Sequence, residues 1–194
     1  MILSVMNHIS LKLNQFLKNK FELVEDVVVV SNLVDHDGAI SANVNNRVVI
    51  FLTNIERETA AKTHYMSSGV GSDFTQHQPV HLNLYLMVCA NFSGANYNES
   101  LKFISSVVGY FQQQPVFNHQ NSPDLDRNID KIVLDIENVK NHDLSNMWGM
   151  FGAKYLPSIL YKVRMITIDN KAVISRVSKT SSVNVSVKSE SEPL

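Results

Sequence analysis

Acidic and imidazole side chains occur together at Asp35, His36 and Asp37, and residues of these types can hold a metal ion. Carboxylate oxygens and imidazole nitrogens are common ligands of calcium and zinc. No other acid or histidine falls at a matching spacing, and the pair Asp37 and Gly38 is typical of a tight turn that tolerates positive φ. We therefore interpret this cluster as a solvated turn and predict no metal site.

The single cysteine, Cys89, follows histidines that could suggest a nucleophilic pair. His81 lies eight residues before it in an alternating segment, and eight residues of extended strand span about 26 Å. This distance excludes a direct pair. His64 and His77 are too loosely placed to indicate zinc. A lone cysteine also excludes an intramolecular disulfide and a thiolate metal site.

The longest polar segment, residues 57–79, contains Ser68, Gly69, Val70 and Gly71. Phosphate-binding loops need a strand before them, a helix start after them and a further glycine or a Gly-Lys pair, and the segment has none of these. Loops of this length inside compact domains are usually functional or disordered. We predict that a partner orders this segment.

Four acids, Asp124, Asp126, Asp130 and Asp135, are spread over a predicted loop and strand without a partner base. Exposure to solvent and capping of local structure account for these acidic side chains. No nucleophile elbow, paired carboxylate motif or cofactor loop is evident either. We therefore predict no catalytic, cofactor-binding or metal-binding residues and no enzymatic activity, and a small hydrolase is disfavoured because a nucleophile and base are lacking.

Two amphipathic helices are predicted from apolar spacing, over residues 2–19 and 96–113. In the first, the apolar residues should cover a core, and the opposite face is predicted to carry Asn7, His8, Lys12, Asn14 and Lys18. In the second, Asn96 and Glu99 resemble a capping box. Its predicted buried stripe is Tyr97, Leu101, Ile104, Val108 and Phe111.

Strands are predicted over residues 26–34, 47–55, 80–92 and 129–136. The valines at 27–30 indicate a strand covered on both faces. We predict that the first two strands are adjacent and antiparallel. Residues 80–92 alternate most clearly, with one face in the core and a mixed face suited to a helix or a neighbouring subunit.

The segment 141–169 is predicted to be the centre of the domain, a short helix that folds onto a long strand. Leu144, Met147, Trp148 and Phe151 follow helical spacing, Gly152 suits a C-terminal cap, and Pro157 prevents the helix from restarting. Residues 171–177 should pair back on the long strand as a hairpin. The residues predicted to form the structural core are Trp148, Phe151, Tyr155, Pro157 and Tyr161.

The residues together predict an α/β chain of the α+β class, with a single mixed, mostly antiparallel sheet packed by amphipathic helices. Residues 1–177 would form the domain and residues 178–194 a C-terminal arm, either extended or disordered. Val183, Val185 and Val187 alternate with polar residues. A tail with this period can add as a strand to the sheet edge of another chain, and disorder explains it equally well.

Several blocks of this sequence resemble the tail-terminator, or cap, proteins of contractile injection systems, which are phage-tail-like particles of the antifeeding-prophage type and their type VI secretion relatives. The blocks occur in that family's order and spacing between about residues 5 and 175. They are residues 80–86, 90–92, 101–104, 110–112, 115–117, 144–149, 152–158 and 161–165.

The resemblance implies a structural protein that closes the distal end of a tube and sheath as a homo-hexameric ring, stops polymerisation and anchors the sheath. Its partners would be the inner tube protein and the sheath protein. The resemblance also implies strand addition to the sheath, for which Val183, Val185 and Val187 are our candidates. A second expected contact, with the tube or a neighbouring protomer, involves Ser68, Gly69, Val70 and Gly71. The alternative function is a surface- or carbohydrate-binding module displayed on a particle, which would need an aromatic-lined groove.

The composition bounds these functions further. At 194 residues with a formal net charge of −1, the chain suits one domain with appendages and has no basic balance that would favour nucleic acid. No secretory signal and no apolar run of membrane length are evident. We expect a cytoplasmic protein that is assembled into a particle and released on lysis, with no membrane or nucleic-acid partner.

Overall fold

The computed structural model describes residues 1–35, 37–58, 74–76, 80–92, 94–168 and 173–176. The chain divides into two units. The first contains Met1–Lys62 and Val80–Ile168, and the second contains Thr63–Pro79 and Asp169–Leu194. The boundary predicted between residues 177 and 178 lies outside the described residues.

Three α-helices are distributed among eight strands in the described part of the chain. The helices are α1 (Ile2–Phe21), α2 (Tyr97–Gln113) and α3 (Asn141–Met150). The strands are β1 (Val28–Val30), β2 (Arg47–Arg57), β3 (Phe74–Gln76), β4 (Val80–Asn91), β5 (Val116–Asn118), β6 (Lys131–Ile136), β7 (Ser158–Ile168) and β8 (Val173–Arg176).

Six strands of the first unit form one sheet in the order β1-β2-β4-β7-β6-β5. β1 and β2 are parallel, and every other pair of neighbours is antiparallel. This arrangement confirms the predicted α+β fold with a mixed, mostly antiparallel sheet. β4 and β7 occupy its centre, as expected for the two longest alternating segments.

Each face of the sheet has its own core because successive side chains of a strand point to opposite faces. Leu84, Leu86 and Val88 of β4 pack with α1 and α2. Met87 and Cys89 pack on the other face with residues that include Trp148 of α3. The mixed face of β4 is therefore covered in part by a helix, which is one of the two coverings that its composition predicted.

Helix α1 begins and ends close to the predicted residues, but its polar face is narrower than predicted. His8 and Asn14 were assigned to that face and are buried, with exposures of 5% and 6%. The Asn14 side chain turns inward and bonds to the main chain at the start of β1. Such a bond to a distant segment leaves no trace in helical periodicity.

Helix α2 also has the predicted length but presents a different face to the core. Tyr97 and Leu101 are 52% and 44% exposed, so that part of the predicted stripe is wrong. The buried residues are Ser100, Phe103, Ser106, Val107 and Phe111. Asn96 makes no side-chain capping bond, and Glu99 instead pairs with Lys102 at 2.8 Å. Two stripes are compatible with the sequence, and packing against β4 selects between them.

The pairing of β1 with β2 corrects the predicted direction. The strands are adjacent as expected but parallel, with Val28 opposite Val48 and Val30 opposite Ile50. The connection, residues 31–46, is long enough to return to the starting end of β1 instead of forming a hairpin. It holds a local bridge between Val34 and Ile40.

The stretch from α3 to β7 follows the sequence closely. Gly152 ends the helix with φ +65°, a conformation in which glycine is favoured. Pro157 is half-buried, and its carbonyl accepts a hydrogen bond from the Ala90 N–H at 3.0 Å. Because that bond joins the start of β7 to the end of β4, the chain leaves the helix already aligned with the sheet.

The residues assigned to the structural core differ in burial. Trp148 is 4% exposed and Tyr161 1%, while Phe151 is half-buried. Tyr155 is 61% exposed, so its assignment to the core is wrong. Its ring meets the Trp148 ring edge to face, with centroids 5.7 Å apart, and covers that side chain from outside.

In the second unit, β3 and β8 form a two-stranded antiparallel ladder. The prediction that residues 171–177 pair back on β7 is therefore wrong. Both edges of β7 over residues 161–163 are already bonded, to β4 on one side and β6 on the other. A turn signal at Asp169 and Asn170 allows the chain to reverse but does not choose its partner strand.

Candidate functional site

The acidic turn and the cysteine have structural explanations. The Asp37 carboxylate accepts a hydrogen bond from the Ala39 N–H at 2.9 Å, and Gly38 adopts φ +82°. Both features agree with a solvated turn. His36 lies outside the described residues. Cys89 is fully buried, and burial raises the pKa of its thiol to about 12. A thiol in this environment is a poor nucleophile at neutral pH.

The four dispersed acids do not converge on one point. Asp124 bonds to Lys12 at 2.8 Å, and this bond is the main reason that the pKa of Asp124 is lowered. Asp135 pairs with Arg164 at 2.6 Å. Asp126 accepts a bond from a backbone N–H. In the described ranges, no three His, Cys, Asp or Glu side chains come together as a metal site.

The two segments predicted to contact partners fall outside the described residues. These are Ser68, Gly69, Val70 and Gly71 in the polar segment and Val183, Val185 and Val187 in the arm. The structure nevertheless describes a surface that the sequence did not indicate, and it lies at the edge of the sheet formed by β1.

Strand β1 is held to α1 by one buried amide. The Asn14 side-chain oxygen accepts hydrogen bonds from the Val27 N–H at 2.9 Å and the Val28 N–H at 3.2 Å. The hydrogen bond from Lys18 at 3.0 Å is the main reason that the pKa of the Asp26 carboxyl is lowered, and the Asn14 amide contributes to the same shift. Asn14 thus fixes where β1 begins and satisfies two buried donors.

On its inner side, β1 is bonded to β2. The Val48 N–H donates to the Val27 carbonyl at 2.8 Å, and the Ser31 N–H donates to the Ile50 carbonyl at 3.2 Å. In a parallel ladder, alternate residues of a strand bond to the same neighbour. The main-chain groups of Val28 and Val30 therefore point away from β2, toward the open side of the sheet.

The connection between β1 and β2 packs against the face of the sheet opposite α1. Leu33 and Val44 belong to the same core as Trp148. The Val44 carbonyl accepts a bond from the Asn91 side chain at 3.0 Å, and the Ser41 N–H donates to Leu33 at 3.1 Å. These bonds fix the connection beside β1.

A cavity of about 450 Å³ lies between β1 and this connection. It is lined by Val29, Val30, Ser31, Ala42, Asn43, Asn45 and Arg47. We call β1 and this cavity together the β1 edge. Chemically, the β1 edge presents main-chain hydrogen-bonding groups beside a polar concavity, an arrangement suited to an extended peptide and not to turnover of a substrate.

A second concave surface of about 730 Å³ lies at the end of the sheet between the C-terminus of α1 and the start of α2. Its lining includes Phe21, Val24 and Phe92 together with Glu25 and Arg47, which approach each other to 3.7 Å. Val24 is 91% exposed. This surface adjoins the β1 edge through their shared residues Asn45 and Arg47.

A third cavity, of about 380 Å³, lies against α3 and is lined by Asn141, Leu144, Ser145, Trp148 and Tyr155. The alternative carbohydrate-binding function would require aromatic faces open to a ligand. Trp148 is buried here, and Tyr155 alone of the lining aromatic residues is exposed. This cavity therefore offers little of the aromatic platform that the alternative needs.

Sequence reasoning missed the β1 edge because its parts are far apart in the chain. Asn14, the strand at Val28–Val30 and the connection at residues 42–45 meet only through the parallel pairing of β1. One signal was available: Asn14 follows Leu13 within an apolar stripe, a position where a polar side chain needs a partner.

A family model matches most of this chain. A family model described as the Pvc16 N-terminal domain matches residues 4–181. No curated protein sequence matches significantly. Among the described residues, no helix has the length and apolar character needed to cross a membrane.

Two solved structures resemble this chain. One is described as the "PVC sheath/tube terminator in extended state" of an extracellular contractile injection system, with a TM-score of 0.59 and 13% identity over 98% of this chain and 64% of that one. The other is the anti-feeding prophage cap, described as a tube terminating cap, with a TM-score of 0.49 and 14% identity over 89% of this chain and 61% of that one. The chain thus spans less than two thirds of either structure.

Proposed function

The chain belongs to the family of the Pvc16 N-terminal domain, and from this membership we propose that it is a structural cap which terminates the tube and sheath of a contractile injection system. The observation that carries the proposal is the family match over residues 4–181. The shared fold with a sheath/tube terminator supports it.

The physical demands of such a cap favour a closed ring. A surface that binds the next copy head to tail must close, because a contact that does not close extends into a filament. We propose a homo-hexamer, which brings six equivalent surfaces to the end of the tube. The inner tube protein and the sheath protein are its proposed partners. Assembly would take place in the cytoplasm, before the particle is released.

Contacts within the particle are proposed for two segments. The polar segment with Ser68, Gly69, Val70 and Gly71 would face the tube or a neighbouring copy. The arm with Val183, Val185 and Val187 would add as a strand to a sheet edge of another chain in the particle. Period-two alternation supports this role for the arm, since one face of the added strand would be apolar.

A role without catalysis is consistent with the chemistry of the described residues. Cys89 is buried with a raised pKa, and Asp124 and Asp135 are each engaged with a basic side chain. These groups stabilise the fold and leave no obvious nucleophile and base in contact. We propose that the exposed surfaces serve assembly.

The test is to assemble particles from the tube and sheath proteins of the same system, with and without this chain, and to measure particle length by negative-stain electron microscopy. Particles with the chain should have a narrow length distribution and a closed ring at one end. Particles without it should vary widely in length. Equal distributions would refute the proposed cap. Binding of the isolated chain to a glycan array would instead support the surface-binding alternative.

A further inference from the structure

The β1 edge has unused main-chain groups. The main-chain groups of Val28 and Val30 point away from β2 because Val27 and Ser31 make the hydrogen bonds to that strand. The Val28 N–H is taken by the Asn14 side chain at 3.2 Å. Within the described part of the chain, the Val30 N–H and carbonyl are left facing outward, where an added strand would bond to them.

The two faces of the β1 edge differ in polarity. The side chains of Val28 and Val30 lie on the face that packs with α1 and α2. Val29 lies on the opposite face, where it packs against the second core and borders the cavity, whose lining also includes Val30, Asn43 and Asn45. A strand added beside β1 therefore needs apolar side chains on the first face and can carry small polar side chains on the second, where polar residues line part of the cavity.

One segment of this chain has that pattern. Val183, Val185 and Val187 alternate with Asn184 and Ser186. We propose that this segment of a second copy adds as a strand to the β1 edge. Its valines extend the core beside Val28 and Val30, and its asparagine and serine face the polar cavity. The inference depends on the ring of the proposed function, because it names the contact that joins neighbouring copies.

The geometry of such a contact agrees with a ring. Each copy donates one segment and accepts one, so donor and acceptor surfaces are different and the contact is heterologous. Main-chain bonds give an added strand its affinity, and alternate side chains give it register. A shift of one residue would place the valines in the polar cavity, so the polarity of the two faces selects one register class.

A proline at position 30 tests the main-chain part of the proposal. Val30→Pro removes the outward N–H but no bond to β2, and proline is tolerated in edge strands when its missing N–H faces outward. Val30→Thr is the matched control, because it keeps the N–H and the β-branched shape. Native mass spectrometry of the full chain should show a roughly tenfold or larger weakening of self-association for Val30→Pro, because a main-chain hydrogen bond is lost and the proline ring clashes with the added strand.

Self-association of Val30→Pro that matches wild type would overturn the proposal. Thermal unfolding checks that the variant folds. If Val30→Pro does not fold, cross-linking decides the question, because cysteines on the same face of adjacent strands lie close enough to form a disulfide.

For cross-linking, chains with Val30→Cys are mixed with chains carrying Val183→Cys, Val185→Cys or Val187→Cys. At least one mixture should give a product of twice the mass under mild oxidation. Asn184→Cys, on the opposite face, should give at least tenfold less. Cys89 does not compete because it is fully buried.

Absence of a cross-linked product from all three valine positions would overturn the proposal. If a chain carrying both Val30→Cys and Val185→Cys forms only an intramolecular disulfide, the proposal is overturned as well. The same variant distinguishes failure of this inference from failure of the proposed function. If Val30→Pro still caps particles of normal length, the strand contact is wrong and the cap stands.

Discussion

Replacing Asn14 by leucine should destabilise the protein, although helical periodicity alone suggests the opposite. Leucine has a higher helix propensity than asparagine by about 0.5 kcal/mol and would extend the apolar stripe of α1. The structure shows that the Asn14 side-chain oxygen accepts bonds from the N–H groups of Val27 and Val28, at 2.9 and 3.2 Å. Both valines are buried, with exposures of 7% and 6%.

Each buried N–H that loses its acceptor costs about 1–3 kcal/mol. Two such losses, offset by the gain in propensity and apolar contact, give an expected net loss of about 2–4 kcal/mol for Asn14→Leu. This is a large share of the roughly 5–15 kcal/mol that stabilises a typical domain. Urea unfolding followed by circular dichroism measures it, and the midpoint should fall by about 1 M or more.

The matched control is Asn7→Leu, which lies on the exposed face of the same helix. It changes propensity in the same way and removes no buried acceptor, so its stability should stay within about 0.5 kcal/mol of wild type. Asn14→Leu with unchanged or greater stability would refute the argument that this amide anchors β1.

Three further predictions concern separate parts of the fold. Burial lowers the pKa of His8, although the nearby Asp124 carboxylate acts to raise it. The free energy of unfolding should therefore fall as the pH drops below about 6.5, the pKa of histidine in the unfolded chain. For His8→Leu it should depend less on pH between about pH 7 and 5. Gly152→Ala should lower the free energy of unfolding by about 1 kcal/mol, because φ at this position is +65°. Gly149→Ala, inside α3, should raise it by about 0.5–1 kcal/mol. An added Cβ meets nothing within 4 Å at either position, and chemical unfolding measures both effects. Cys89 should react with a thiol reagent only at the rate of unfolding, and rapid labelling of the native protein would contradict its burial.

The central strands could be predicted from sequence because their signal is local. β4 and β7 alternate over many residues, so period two fixes both their existence and their faces. Gly152 and Pro157 mark the end of α3 and the start of β7 in the same way. Each of these features depends on neighbours within a few positions of the chain.

The predictions were wrong where contacts between distant parts of the chain determine the structure. The direction of β1 depends on where the connection at residues 31–46 packs, and turn residues do not encode that. Helix α2 offers two apolar stripes, and docking against β4 buries Phe103 and Val107 while it leaves Leu101 exposed. The β1 edge was missed for the same reason, since Asn14 meets β1 only in the folded chain.

The location of the chain on a particle tests its role as a cap most directly. A gold label on Gln15→Cys, an exposed position of α1, marks the protein, while buried Cys89 stays unlabelled. Electron microscopy of labelled particles should show gold at one end of the tube and sheath and nowhere along their length. Gold distributed along the sheath, or particles without gold at either end, would contradict the account.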